Sequence, residues 1–126
     1  MPGTGGWFDP SDITAFLDAW AKAPRYVGLC SSDPKLASDP LTTEVLGDAY
    51  RRVPAALIRS NLLLRNGSAW VWLGLLPGTR IHGIAIWDAI FNGHVKGYIP
   101  LEDPVDLPAG GSFTGAAGDY FLGFDD

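Results

Sequence analysis

The chain has 126 residues, a net charge of −5 and a pI near 4.7, with 47% hydrophobic and only 18% charged residues. That length suits one domain with a real core, and the apolar share excludes a disordered chain. The negative balance and the nine scattered Lys and Arg residues exclude nucleic-acid binding by phosphate neutralisation, which needs clustered cations.

In chain order, Met1-Pro2-Gly3-Thr4-Gly5-Gly6 reads as flexible or docked on something else, and it lacks the pattern of a secretory signal. The clearest helix follows. Asp9 caps it, Pro10 suits the first turn, and Ile13, Phe16, Leu17 and Trp20 form one apolar stripe before Pro24 ends it. Such a short helix cannot stand alone and must lie on a sheet or on a neighbouring chain.

From Arg25 the pattern turns to strands. Tyr26 to Cys30 is the first, and a Ser-, Asp- and Pro-rich loop runs from there to about Thr43. Glu44 to Val53 reads as a strand or an irregular edge, and Leu57 to Leu64 as a strand, with a short helix as the alternative. Asn66-Gly67-Ser68 matches a glycosylation sequon but reads as a turn. Trp70 to Leu76 and Ile81 to Trp87 are strands, and Phe91-Asn92-Gly93-His94 is a hairpin tip leading into Val95 to Leu101. There the alternation places Val95, Gly97, Ile99 and Leu101 on one face. Leu107-Pro108-Ala109-Gly110-Gly111 makes a turn before Ser112 to Thr114. The last strand, Tyr120 to Phe124, sets Tyr120, Leu122 and Phe124 on one side. The expected fold is mostly β, an antiparallel β-sandwich or jelly-roll-like barrel with one N-terminal amphipathic α-helix. It forms a single domain over 1–126, with an arm and helix at 1–24 and the sandwich at 25–126.

Cys30 is the one cysteine, which excludes an internal disulfide and a cysteine-based metal site. It reads as a small, half-buried strand residue without the cationic surroundings of a reactive thiol. No apolar run approaches the length of a membrane span.

Several segments resemble a known family. Tyr26-Val27-Gly28-Leu29-Cys30-Ser31-Ser32-Asp33-Pro34 is similar to its opening strand, and Glu44-Val45 with Gly47, Ala49, Tyr50 and Arg51-Arg52 to its second segment. His82-Gly83-Ile84-Ala85-Ile86-Trp87-Asp88-Ala89 resembles a further strand. The hairpin through Gly93 and the run Leu107-Pro108-Ala109-Gly110 resemble its ending. The family is that of small bacteriophage virion proteins, labelled tail-fibre-like, minor tail or head-decoration proteins, and the likeness covers residues 25 to 124. It implies a structural role and carries no catalytic residue to transfer.

The residues that could carry chemistry point the same way. His82 lies in an apolar strand and His94 after a turn, and no Gly-x-Ser-x-Gly elbow accompanies them. Ala109 to Gly118 lacks the Lys-Ser/Thr ending of a phosphate loop. Glu102, Asp103 and Asp106 read as a solvated acidic loop without metal-loop spacing, and Asp125-Asp126 as an acidic end. The expectation is therefore no catalytic residue, no metal and no cofactor.

The aromatic residues are the strongest signal: five Trp, six Phe and four Tyr. Trp87 and at least one of Trp70 and Trp72 are expected in the core. Five indoles are hard to bury in a domain of this size, and Trp is enriched at interface hot spots. Trp7, Phe8 and Trp20 are therefore expected to anchor the N-terminal segment on a neighbouring subunit. The function expected is a bacteriophage capsid decoration or minor capsid protein, a homo-oligomer assembled in the host cytoplasm and resident in the virion. Its partners are other virion proteins, with no nucleic acid and no membrane. A minor tail or tail-fibre-associated protein is the alternative, and a carbohydrate-binding module a further one.

Overall fold

The computed structural model describes residues 4, 6–47, 49–76, 78–107 and 111–123. Most of the Gly-rich start, the centre of the expected turn at Pro108-Ala109-Gly110, Phe124 and the acidic end lie outside the described residues.

The helix α1 spans Pro10–Lys22, and the strands β1 (Tyr26–Cys30) and β2 (Val53–Pro54) follow. Next come β3 (Leu57–Ser60), β4 (Leu63–Asn66), β5 (Trp70–Trp72) and β6 (Arg80–Trp87). The chain closes with β7 (Val95–Asp106), β8 (Phe113–Gly115) and β9 (Phe121–Gly123). They form three antiparallel sheets, ordered β2-β1-β6-β7, β3-β4-β9 and β5-β8. The fold is mostly β, a sandwich-like stack of open sheets, and none of them closes into a barrel.

The layers meet through indoles. Val27, Leu29, Ile84 and Ile86 of the four-stranded sheet share one buried cluster with Trp70 and Trp72. The Trp72 indole N–H donates to the Val27 carbonyl at 3.1 Å, and the Trp70 indole N–H to the Ala55 carbonyl at 2.8 Å. Each ring thus fills the core while its polar atom finds a partner, as a buried indole requires. Tyr120 stacks on Trp70 and Phe113 packs on Trp72, which ties the C-terminal part of the chain to the same core. Trp70, Trp72 and Trp87 are all buried.

The helix begins as expected, with the Asp9 carboxylate accepting the Ser11 N–H at 2.8 Å. Ile13 and Leu17 pack on Leu64, and Trp20 is half-buried against two clusters with the Arg25 guanidinium 4.1 Å from its ring centroid. Phe16 departs from the expected stripe and is 53% exposed. The helix rests on the β3–β4 pair, and the line that it covers runs through Ile13, Leu17, Trp20 and Ala21.

Four other expectations are corrected. Leu57 to Leu64 is two strands, because Asn61 takes a left-handed turn (φ 56°) and folds the segment into a hairpin. The strand from Trp70 ends at Trp72, with Gly74 left-handed (φ 68°) just beyond. Glu102, Asp103 and Asp106 are exposed residues of β7 and not of a loop, and Arg80 lies 3.6 Å from Asp106. A register shift between Ile86 and Trp87 places Val95 opposite Trp87 and Gly97 opposite Ile86. Lys96 is the extra residue, so Val95 turns to the Trp87 side, away from Gly97. Glu44 to Val53 is the irregular edge: Glu44 bridges to Cys30, and only Val53 and Pro54 pair as a strand.

Asn66 is not a free sequon side chain. Its amide donates to the Ser68 and Ala116 carbonyls and its oxygen accepts the Tyr120 N–H, which stitches β4 to the chain before β9. No helix among the described residues is long and apolar enough to cross a membrane.

Replacing Trp72 by Ala is expected to cost about 3–5 kcal/mol in urea unfolding, the range for large-to-small changes in a packed core. Val71→Thr on the outward face of the same strand is expected to stay within about 0.5 kcal/mol.

Candidate functional site

The two central strands of the four-stranded sheet, β1 and β6, are buried on both faces, which is why they are apolar almost throughout. One face meets the indole core. The other, built from Gly28, Cys30, Ala85, Trp87 and Tyr98, lies under the segment that runs from Ser31 to Arg52. A polar cluster holds that cover in place.

Arg52 is buried and forms two hydrogen bonds with Glu44, Nε to Oε2 and Nη2 to Oε1, both 2.9 Å. The Tyr50 hydroxyl donates to Glu44 Oε2 at 2.6 Å and accepts the Leu29 backbone N–H at 2.9 Å. Burial and the neighbouring Glu44 carboxylate push the Tyr50 hydroxyl far above its ordinary pKa, so it stays a donor. Gly28 makes room for this cluster, since a Cβ there would come within 2.6 Å of both Glu44 Oε2 and the Tyr50 hydroxyl. The Arg52 guanidinium lies 3.9 Å from the Trp87 ring centroid, and its Nη1 donates to the Ala89 and Asn92 carbonyls at 2.8 and 2.6 Å.

Those two carbonyls belong to the β6–β7 hairpin loop. The loop is closed by the Asp88 N–H donated to the His94 carbonyl at 3.0 Å and by the His94 N–H donated to the Asp88 carboxylate at 2.7 Å. Asn92 and Gly93 are left-handed (φ 57° and 74°), the conformation that the Asn-Gly pair favours. The loop presents Ile90 (56% exposed) and Phe91 (77%) to solvent. Leu46 (72%) stands beside them, and together with Leu41, Val45 and Tyr50 they line a cleft of about 360 Å³. The buried ion pair thus clamps from beneath a loop that holds large apolar side chains in water.

The second exposed apolar feature is the arm. Trp7 is 84% exposed and Phe8 is 70% exposed, on extended chain just before α1. Trp20, grouped with them in the sequence, lies at the other end of the helix, half-buried against its own sheets. The structure therefore separates the three, leaving Trp7 and Phe8 outward.

The residues weighed for chemistry are dispersed. His82 is half-buried on β6, and His94 is exposed at the loop end with Nδ1 3.4 Å from Asp88 Oδ2. No hydrogen bond joins either histidine to a Ser or Cys among the described residues, and no group of three or more metal-binding side chains occurs there. Cys30 is fully buried, and burial raises its thiol to about 11, so it stays protonated.

Comparison of the sequence with protein-family models and with curated proteins finds no match. Sequence reasoning did not single out Glu44, Tyr50, Arg52, Leu46, Ile90 and Phe91 as a site. A signal was present: Ala89-Ile90-Phe91 is an apolar run inside a segment that the flanking Asp88 and Asn92-Gly93 mark as loop.

Arg52→Ala is expected to destabilise the fold by about 3 kcal/mol, because it leaves a largely buried carboxylate without its cation and frees two loop carbonyls. Tyr50→Phe is expected to cost about 1–3 kcal/mol by leaving the Leu29 N–H without its acceptor. Urea unfolding measures both. The His94 N–H holds the Asp88 carboxyl below its ordinary pKa. A depressed carboxyl stabilises the folded form above its unfolded pKa of about 3.9 and loses that effect as pH falls. Amide exchange at His94 is therefore expected to accelerate, relative to the sheet, below about pH 4, and Asp88→Asn to abolish that pH dependence.

Proposed function

We propose that this chain is a non-catalytic structural protein of a bacteriophage virion, a capsid decoration or minor capsid protein that acts by packing against neighbouring subunits. One observation carries the reading. Among the exposed apolar side chains of the described residues, aromatic rings and their neighbours gather at the Trp7-Phe8 arm and at the Leu46–Ile90–Phe91 surface, and a buried ion pair rigidifies the second. At about 25 cal/mol per Å² and roughly 150–250 Å² per aromatic ring, each ring withdrawn from water contributes on the order of 4–6 kcal/mol gross. Ordering of the arm offsets part of that. The low charged fraction and the resemblance of residues 25 to 124 to small virion proteins support the same reading. The acidic net charge argues for protein partners over packaged nucleic acid. A sugar-binding sheet would need indoles facing solvent, and Trp70, Trp72 and Trp87 are core residues.

The test is a copy count by quantitative mass spectrometry of purified particles from a host carrying the gene. Hundreds of copies per particle are expected for a shell protein. A handful would move the protein to the tail, and none would reject the virion reading. Trp7→Ala combined with Phe8→Ala is expected to lower the copy number at least tenfold while leaving the urea midpoint of the free protein unchanged.

A further inference from the structure

The arm and the cleft are complementary features of one chain, and their positions say which copy each serves. The helix α1 has 13 residues and separates Trp7 from Trp20 by about 20 Å. Its C-terminal end is the end near the cleft. Arg25 there lies over the Trp20 ring, Tyr26 beside it pairs with Trp87 at the end of β6, and the loop that carries Ile90 and Phe91 begins one residue on, at Asp88. The three residues from Trp7 to Pro10 reach roughly 10 Å at full stretch. An arm of that length does not return along the helix to its own cleft.

We propose that Trp7 and Phe8 of one copy seat in the Leu46–Ile90–Phe91 cleft of a second copy, making a head-to-tail contact. This names the partner of the surface described above and rests on the reading of it as a packing surface. The cleft, about 360 Å³, has the size to take an indole. Its floor is immobilised by the Arg52 bonds to Ala89 and Asn92, so little order has to be gained on docking. Charge favours the same pairing. The chain is net −5, so two copies meeting at random repel, whereas here Asp9 and Asp12 beside the arm approach Arg51 on the cleft wall. The contact is heterologous, because the surface given differs from the surface received, and it repeats into a ring or a row. Two rings in a shallow cleft bury less than the roughly 800 Å² per partner of a stable free dimer. Association of the isolated protein is therefore weak, and a shell lattice adds the multivalency.

Sedimentation velocity of the full chain from about 10 µM to 1 mM tests this, the upper limit suiting a contact of that size. Two variants accompany it: the arm variant Trp7→Ala/Phe8→Ala and the cleft variant Phe91→Asp. All three positions are exposed, and matching urea midpoints verify that each variant folds. The wild type is expected to self-associate, and each variant alone to do so about thirtyfold more weakly or less, the scale of losing a hot-spot anchor. An equimolar mixture of the two variants is expected to form a 1:1 pair and nothing larger, since it holds one intact arm and one intact cleft. A wild type that stays monomeric, a variant that associates like the wild type, or a mixture that stays monomeric overturns the proposal. A monomeric wild type that still enters particles sinks this contact alone. Self-association without particle incorporation sinks the virion reading instead.

Discussion

The Arg52–Glu44 pair is the constraint on which the rest of the surface depends. An arginine this deep in a domain is costly unless its donors are met, and here the carboxylate takes Nε and Nη2 while two loop carbonyls take Nη1. The guanidinium also lies on the Trp87 face. One side chain thereby joins three stretches distant in sequence: the irregular edge at Glu44, the end of β6 at Trp87, and the hairpin loop at Ala89–Asn92. Gly28 is the space that lets the cluster settle onto β1.

The consequence is a division of labour among the apolar side chains. On the inner face of the four-stranded sheet, Trp70 and Trp72 fill the gap between layers and donate their N–H groups to backbone carbonyls. They are spent on the fold. On the outer face Cys30, Ala85 and Trp87 form a smaller buried cluster beside the polar one, and the loop that Arg52 fastens leaves Ile90 and Phe91 exposed. The arm does the same with Trp7 and Phe8. Both groups of side chains are left in water although the chain carries few charges.

Much of the fold was legible because its signals are local. The Asp9-Pro10 start of the helix, the Asn92-Gly93 hairpin and the apolar runs of β1 and β6 each follow from a few neighbouring residues. The failures have a common cause. Arg59-Ser60-Asn61 marks the end of a strand only once Leu63 to Asn66 folds back beside it. Val95 changes face because of a bulge that depends on how Trp87 pairs. Phe16 and Ile13 have equal claim to the helix stripe until packing on the β3–β4 pair selects between them. In the candidate site, Glu44, Tyr50 and Arg51-Arg52 stand out in the sequence as one segment, but the bonds that they make are not legible there. The partners of Arg52 lie 8, 37 and 40 residues away.

By itself, then, the order of amino acids determined the mostly β class, the place of the single helix, the hairpin turn at Asn92-Gly93 and the surplus of aromatic rings, because backbone preference and hydrophobic period act over a few residues. Which rings are core and which face outward was decided only in three dimensions. Burial is a property of what packs above a residue, and Trp7 and Trp72 look alike until the second sheet closes over one of them.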